Sequence, residues 1–267
     1  MISVIQLGTV DYATGLRLQQ KLVELRKADK ISDTLLLLEH TPVITLGRNA
    51  RQSNIVASPD LLKKRGVEVF ECDRGGDVTY HGPGQLVGYP IFDLRSQLAD
   101  DGQRKTVGAV EYVRRLEEVL IRTSAEYGIA TERVKGMTGV WTVAPDSASV
   151  TPGVHEQAKV AAIGVHISRA VTSHGFAFNV NTDLDYFKLI IPCGIAAKPV
   201  TSIQKELGRD IPIDEVAQIV ARNFGRVFNS QVLWLDTLDA LLGNTVGVPM
   251  KEPEGLRRLH GDDLTWA

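Results

Sequence analysis

Arg74-Gly75-Gly76-Asp77-Val78-Thr79-Tyr80-His81-Gly82-Pro83-Gly84-Gln85 is the stretch on which the reading of this chain turns. It lies between two apolar segments, Val67-Glu68-Val69-Phe70 and Leu86-Val87-Gly88-Tyr89. Gly75-Gly76 opens backbone conformations closed to other residues and lets a ligand approach the main chain. Arg74 and His81 bracket the turn with a fixed cation and a titratable imidazole. Gly-Gly and His-Gly-Pro-Gly are also ordinary turn chemistry, so these residues alone fit a hairpin connection as well as a ligand-binding loop.

Outward from this run, apolar and helical patterns mix without strict alternation, which argues for an α/β or α+β fold with a mixed sheet. Ile2 to Leu7 reads as a strand, and Asp11 as the N-cap of a helix carrying Leu18, Leu22 and Leu25 on one face. Leu35-Leu36-Leu37-Leu38 and Val43-Ile44-Thr45-Leu46 suit buried strands. Ser58-Pro59 opens a short helix. An amphipathic helix is predicted over Thr106 to Tyr127, with Val110, Val113, Leu116, Val119 and Leu120 as its core stripe. Gly139 to Val143 and Lys159 to Ile167 read as neighbouring strands, joined by a polar loop, Ala144 to Gly153. A last helix fits Ile213 to Phe228. The division that follows is one catalytic domain over 1–230 and a peripheral C-terminal extension over 231–267.

The 267 residues can bury a sizeable core, and 43% hydrophobic with 23% charged content is ordinary for a soluble globular protein. A formal net charge of -2, from 30 Lys+Arg against 32 Asp+Glu, supplies no global field for nucleic acid or an anionic membrane. Two cysteines, Cys72 and Cys193, make no disulfide framework in a chain this long. The start, Met1-Ile2-Ser3-Val4-Ile5-Gln6, lacks the basic region of a signal peptide, and Leu189 to Ala197 is too short to span a bilayer. The expectation is a cytoplasmic protein. His40, His155, His166 and His260 show no metal-ligand spacing, so no metal is expected.

Three residues attract attention for chemistry. Cys193 sits in an apolar stretch where a free cysteine commonly packs as a small hydrophobe, but Pro192 and Gly194 fix one side and open the other. Lys159 begins a strand whose alternation groups it with Ala161, Ile163, Val165 and Ile167, an apolar face on which burial would lower its proton affinity. A lysine snorkelling to water fits the same position. His174 shares parity with Phe176, Phe178 and Val180, where a satisfied core histidine is the common outcome.

The run from Arg74 to Gln85 resembles the signature of the lipoyl (octanoyl) transferases of lipoate biosynthesis. Lys159-Val160-Ala161-Ala162-Ile163-Gly164, His174-Gly175-Phe176-Ala177-Phe178-Asn179-Val180-Asn181 and Pro192-Cys193-Gly194-Ile195 with Val200-Thr201-Ser202 agree with it in the same order. The resemblance spans roughly Leu35 to Leu207 and is weakest at the two ends and from Ala144 to Ala158. It implies the biotin/lipoate protein ligase-like fold. It also implies a catalytic pair, Cys193 as acyl-accepting nucleophile and Lys159 as its proton partner. Substrate binding would fall to Arg74, Gly75, Gly76, Asp77, Val78, Thr79, Tyr80 and His81, to Ala162, Ile163 and Gly164, and to His174, Gly175 and Phe176. The implied donor is octanoyl-acyl carrier protein. The implied acceptors are lipoyl domains of 2-oxoacid dehydrogenase complexes and the glycine cleavage H protein, and no cofactor is called for. The rivals are an ATP-dependent lipoate or biotin protein ligase, an amidotransferase between lipoyl domains, and a non-catalytic acyl-binding protein. Lys63-Lys64-Arg65, Arg48 and Arg51 are the basic residues that could meet an acidic carrier.

Overall fold

In the computed structural model, residues 1–97, 106–143, 157–191, 199–242 and 257–258 are described. Cys193 and the loop from Ala144 to Gly153 lie outside these residues. The run of four leucines is explained at once. Leu35 and Leu37 enter one core and Leu36 and Leu38 another, on opposite faces of one strand. A strand covered on both faces reads as a continuous apolar run.

The main sheet has eight strands in the order β11-β1-β2-β6-β10-β9-β8-β7. These are β1 (Ile2–Val10), β2 (Asp33–His40), β6 (Gln85–Ile91), β7 (Thr131–Val134), β8 (Met137–Thr142), β9 (Lys159–Ser168), β10 (Val171–Asn179) and β11 (Val232–Trp234). On one face lie α3 (Ala109–Glu126) and α5 (Ile213–Val227); on the other lies α1 (Tyr12–Lys27). The second sheet, β12-β4-β3-β5, combines β3 (Val43–Leu46), β4 (Glu68–Glu71), β5 (Val78–His81) and β12 (Arg257–Arg258). It shares a separate core with α2 (Pro59–Lys64). Two short helices, α4 (Ile203–Leu207) and α6 (Leu238–Leu242), complete the described α-helices, and three 3₁₀ turns lie at Gln52–Asn54, Leu94–Ser96 and Leu184–Leu189.

The expected caps form. Asp11 accepts from Thr14 N at 2.9 Å and Ser58 from Leu61 N at 3.3 Å. The helix expected from Thr106 begins at Ala109, and Val110 is 75% exposed rather than part of the core stripe. Tyr112, Leu116, Val119 and Leu120 carry that stripe, because a first-turn residue on the solvent side has nothing to cover it. The strand β11 begins just past the expected boundary at 230 and pairs in parallel with β1.

The hairpin reading of the central run does not hold. β4 and β5 both pair with β3, so the Gly-Gly loop crosses over a strand. Gly82-Pro83-Gly84 then hands the chain from the small sheet to the large one, because β6 pairs with β2 and β10. Glycines also let the main-sheet strands approach closely. A Cβ on Gly175 would be driven into the Gly88 carbonyl oxygen and to 2.6 Å from Pro90 Cδ. Gly175→Ala is therefore expected to destabilise the fold by about 1–3 kcal/mol through overpacking against immovable backbone. Urea unfolding would check it; an unchanged midpoint would contradict it.

Candidate active site

Arg74 is buried and acts first as a strut. Its guanidinium donates to Thr45 O at 2.6 Å, to Thr45 Oγ1 and to Gly75 O. The carbonyls of Arg74, Gly76 and Asp77 accept from the N–H groups of Arg48, Asn49 and Gly47. Gly76 has φ +92, which favours glycine there. Gly75 N donates to Val165 O at 3.1 Å, and a Cβ on Gly164 would lie 2.7 Å from Gly75 O. The Gly-Gly loop thus lies flat on β9, and its Gly75 N–H is committed to the sheet.

Beneath the loop is a cavity of about 410 Å³, within the ~300–1,000 Å³ of small-molecule sites. Strand register builds its floor from small residues: Ala162 pairs with Ala177, Ala177 with Val87, and Gly164 with Gly175. Asn179 and Gln85 form the adjoining row. Tyr12, Tyr89, His81 and His174 line one region, and Lys159, Trp141, Met137 and Val200 another.

Two local departures from alternation bring Lys159 and His174 to this face. β8 pairs Val140 with Ala161 but Trp141 with Lys159, a one-residue bulge that places both Val160 and Ala161 in the core of α3 and α5. Lys159 is thereby released from the parity it was expected to share with Ala161, and it lines the cavity with Ala162 and Gly164. Its Nζ stands 4.7 Å from the Trp141 ring centroid. His174 has φ +54 in mid-strand, so it leaves the aromatic face of Phe176, Phe178 and Val180. That strained backbone is held by Gln19 Oε1, which accepts from His174 N at 2.7 Å, and by Asp73 Oδ1, which accepts from Nε2–H at 2.7 Å.

The buried imidazoles are neutral. Burial pushes His81 from 6.5 down to about 3 and His40 to about 4, and it lowers His174 despite the pull of Asp73. The hydrogen bond from His174 holds the Asp73 carboxyl at about 2. His40 Nδ1–H donates to Val10 O, so its Nε2 accepts from the Tyr89 hydroxyl at 2.6 Å. His81 Nδ1–H donates to Gln85 Oε1 at 2.8 Å. Gln85 Nε2 donates to Asn179 Oδ1, Asn179 Nδ2 to Thr201 O, and Thr201 N to Lys159 O. A buried polar chain therefore runs from the loop histidine to the backbone of Lys159.

These shifts fix a pH dependence. Unfolded histidine takes up a proton below ~6.5 while folded His40 and His81 resist. Stability is full above that pH and falls as pH drops toward about 4, by more than 1 kcal/mol per pH unit for each histidine. Asp73 adds a loss only below 3.8. Urea unfolding at about pH 7 and about pH 5 would read the slope; equal stabilities would contradict it.

Of the residues expected to bind substrate, Arg74 to Thr79, His81, Ala162 to Gly164 and His174 to Phe176 line the cavity, as does Lys159. Tyr80 does not: it is buried in the second core, stacked 4.7 Å from Tyr186. Cys193 lies in the segment between Ile191, whose N–H donates to Asn54 O, and Pro199, whose carbonyl accepts from Lys159 N. Asn54 in turn donates to Asp77, so residues on both sides of that segment are tied to the cavity wall. Arg48 bonds His166, and Arg65 lies 5.3 Å over the Tyr186 ring. Sequence reasoning missed Tyr12, Tyr89, Asn179, Asp73 and Gln19. The alternations Gln85-Val87-Tyr89 and Gly175-Ala177-Asn179, polar groups inside apolar strands, were the available signal.

Residues 11–225 match the model of the lipoyl protein ligase A/B catalytic domain. The chain is 62% identical over 264 residues, 99% of each chain, to the octanoyltransferase of Koribacter versatilis. It belongs to the lipoyl (octanoyl) transferase family. This acyltransferase is also 55% identical over 244 residues, 91% of its own length and 96% of the relative's, to the octanoyltransferase of Acidobacterium capsulatum. Its fold is that of the lipoyl protein ligase catalytic domain. A putative lipoate protein ligase from T. acidophilum with bound lipoic acid superposes with a TM-score of 0.62 at 15% identity, covering 89% of this chain and 90% of the other. A lipoate-protein ligase A bound with ATP gives 0.61 at 17% identity, covering 89% of each. At such identities the likeness establishes architecture alone.

Proposed function

We propose that this acyltransferase moves an octanoyl (or lipoyl) group from octanoyl-acyl carrier protein to a lysine of lipoyl domains, through a thioester on Cys193. The acceptors are those of 2-oxoacid dehydrogenase complexes and the glycine cleavage H protein, in the cytoplasm. The observation that carries this reading is the cavity. Its small-residue floor runs from Lys159 toward Val87, a shape suited to an unbranched acyl chain. An eight-carbon tail gains roughly 0.8 kcal/mol per buried methylene.

Cys193 gives its proton to Lys159 Nζ, and the thiolate attacks the thioester carbonyl. The carbon–sulfur bond to pantetheine breaks, and the departing sulfur takes the proton back from Lys159. The acceptor amine then attacks the acyl-enzyme. Its surplus proton passes to Lys159, and Cys193 leaves as thiolate. Thioester to amide is downhill, so no nucleotide enters. Arg74 and the Asp73–His174 bond hold the loop and sheet that wall the cavity.

No helix among the described residues is long and apolar enough to cross a membrane. The test incubates the enzyme with octanoyl-acyl carrier protein and an apo lipoyl domain, without ATP, and weighs the domain. Octanoylation is expected. Modification only after ATP and free octanoate are supplied would move the chain to the ligases.

A further inference from the structure

Lys159 sits where β9 changes neighbours. β10 runs antiparallel to β9 as far as Phe178, opposite Ala161. Beyond that pair, at Lys159, residues 199–201 take the place of β10. Lys159 bridges Val200 in parallel, its N–H donating to Pro199 O and its carbonyl accepting from Thr201 N. On its other flank is the ladder to Trp141, whose register shifts at this point. Where Lys159 stands in the cavity therefore depends on how firmly residues 199–201 are tied to the end of β10.

Asn179 spans that junction. It is the last residue of β10, is 4% exposed and lines the cavity. Its Nδ2 donates to Thr201 O at 2.9 Å, and its Oδ1 accepts from Gln85 Nε2 at 2.9 Å. Two backbone carbonyls fix the orientation of both amides. Thr201 O can accept only from Nδ2 of Asn179, and Tyr80 O only from Nε2 of Gln85. Gln85 is itself buried on β6, opposite Asn179, so the sheet braces the bond to Thr201. Gln204 N also donates to Val180 O, but inside α4, past the residues that pair with Lys159.

We infer that Asn179 is a positioning residue for Lys159: it fixes residues 199–201 against β10 and so sets where the lysine amine stands. The inference rests on the acyl-transfer reading above, in which Lys159 carries the proton.

The test is a double-mutant cycle on octanoyl transfer to an apo lipoyl domain, with Asn179→Ala made in the wild type and in Lys159→Met. Transfer is followed for hours, so that the slow Lys159→Met background stays measurable. In the wild type, displacing the amine by about 1 Å is expected to lower kcat about 10- to 100-fold, with KM for octanoyl-acyl carrier protein within about twofold. In Lys159→Met there is no amine to misplace, and Asn179→Ala is expected to cost less than about twofold. The same loss in both backgrounds, or a loss carried by KM, would overturn the inference and leave acyl transfer intact. Lys159→Met at the wild-type rate, or wild type inert without ATP, would overturn the parent reading instead. Asn179→Asp serves where alanine does not fold: it keeps the shape and the bond from Gln85, but a carboxylate has no proton to give Thr201 O. Its kcat is expected to fall about tenfold or more. A wild-type kcat in Asn179→Asp would refute the inference.

Discussion

Cys193→Ala is expected to lower octanoyl transfer by about 10⁴-fold or more and to leave no acyl adduct on the enzyme. The size follows from what the thiol replaces. Without it, the acceptor lysine must attack the carrier thioester directly, with both proteins docked at once and the amine deprotonated in the same encounter. The covalent route divides this into two displacements that share one cavity and one proton partner. Steady-state transfer to an apo lipoyl domain measures the loss. A variant retaining a tenth of wild-type activity would show that the route is not covalent at this cysteine.

Lys159→Met is expected to cost about 10²–10⁴ in kcat, the range for loss of a positioned acid–base. A free thiol of pKa ~8.5 is mostly protonated at neutral pH, so Cys193 needs a group to take its proton and return it. In the proposed mechanism that group is Lys159, whose backbone is held by N to Pro199 O and O to Thr201 N, both at 2.9 Å, with Trp141 beneath its Nζ. Methionine keeps the apolar stem and removes the proton. Lys159→Arg keeps a cation but cannot surrender a proton near neutral pH, and it is expected to recover less than a tenth of the lost rate. The ratio of Arg to Met activity is the readout. Near wild-type rates with arginine would reduce the role of Lys159 to a fixed charge.

Much of this architecture is legible in the chain. The caps at Asp11 and Ser58 and the strands Leu35 to Leu38 and Val43 to Leu46 follow from residue type and spacing, since local chemistry decides them. The placement of Lys159 and His174 was not legible, for one shared reason. Alternation assigns a face only while the ladder is regular, and a bulge at one site and a left-handed φ at the other each turn the side chain over. Both departures depend on partners far along the chain: Trp141 in one case, Gln19 and Asp73 in the other. Tyr80 fell inside a motif that reads as one binding block, yet strand parity sends it to the second core while Thr79 and His81 line the cavity. Tyr12 lay outside every motif and is brought to the site by the packing of α1 on β6 and β10.

The most direct test of covalent acyl transfer is the intact mass of the wild-type enzyme after mixing with octanoyl-acyl carrier protein in the absence of ATP. A single octanoyl adduct is expected, mapped by peptide analysis to Cys193 and discharged when an apo lipoyl domain is added. An enzyme that octanoylates the lipoyl domain while never carrying the acyl group itself would contradict the account.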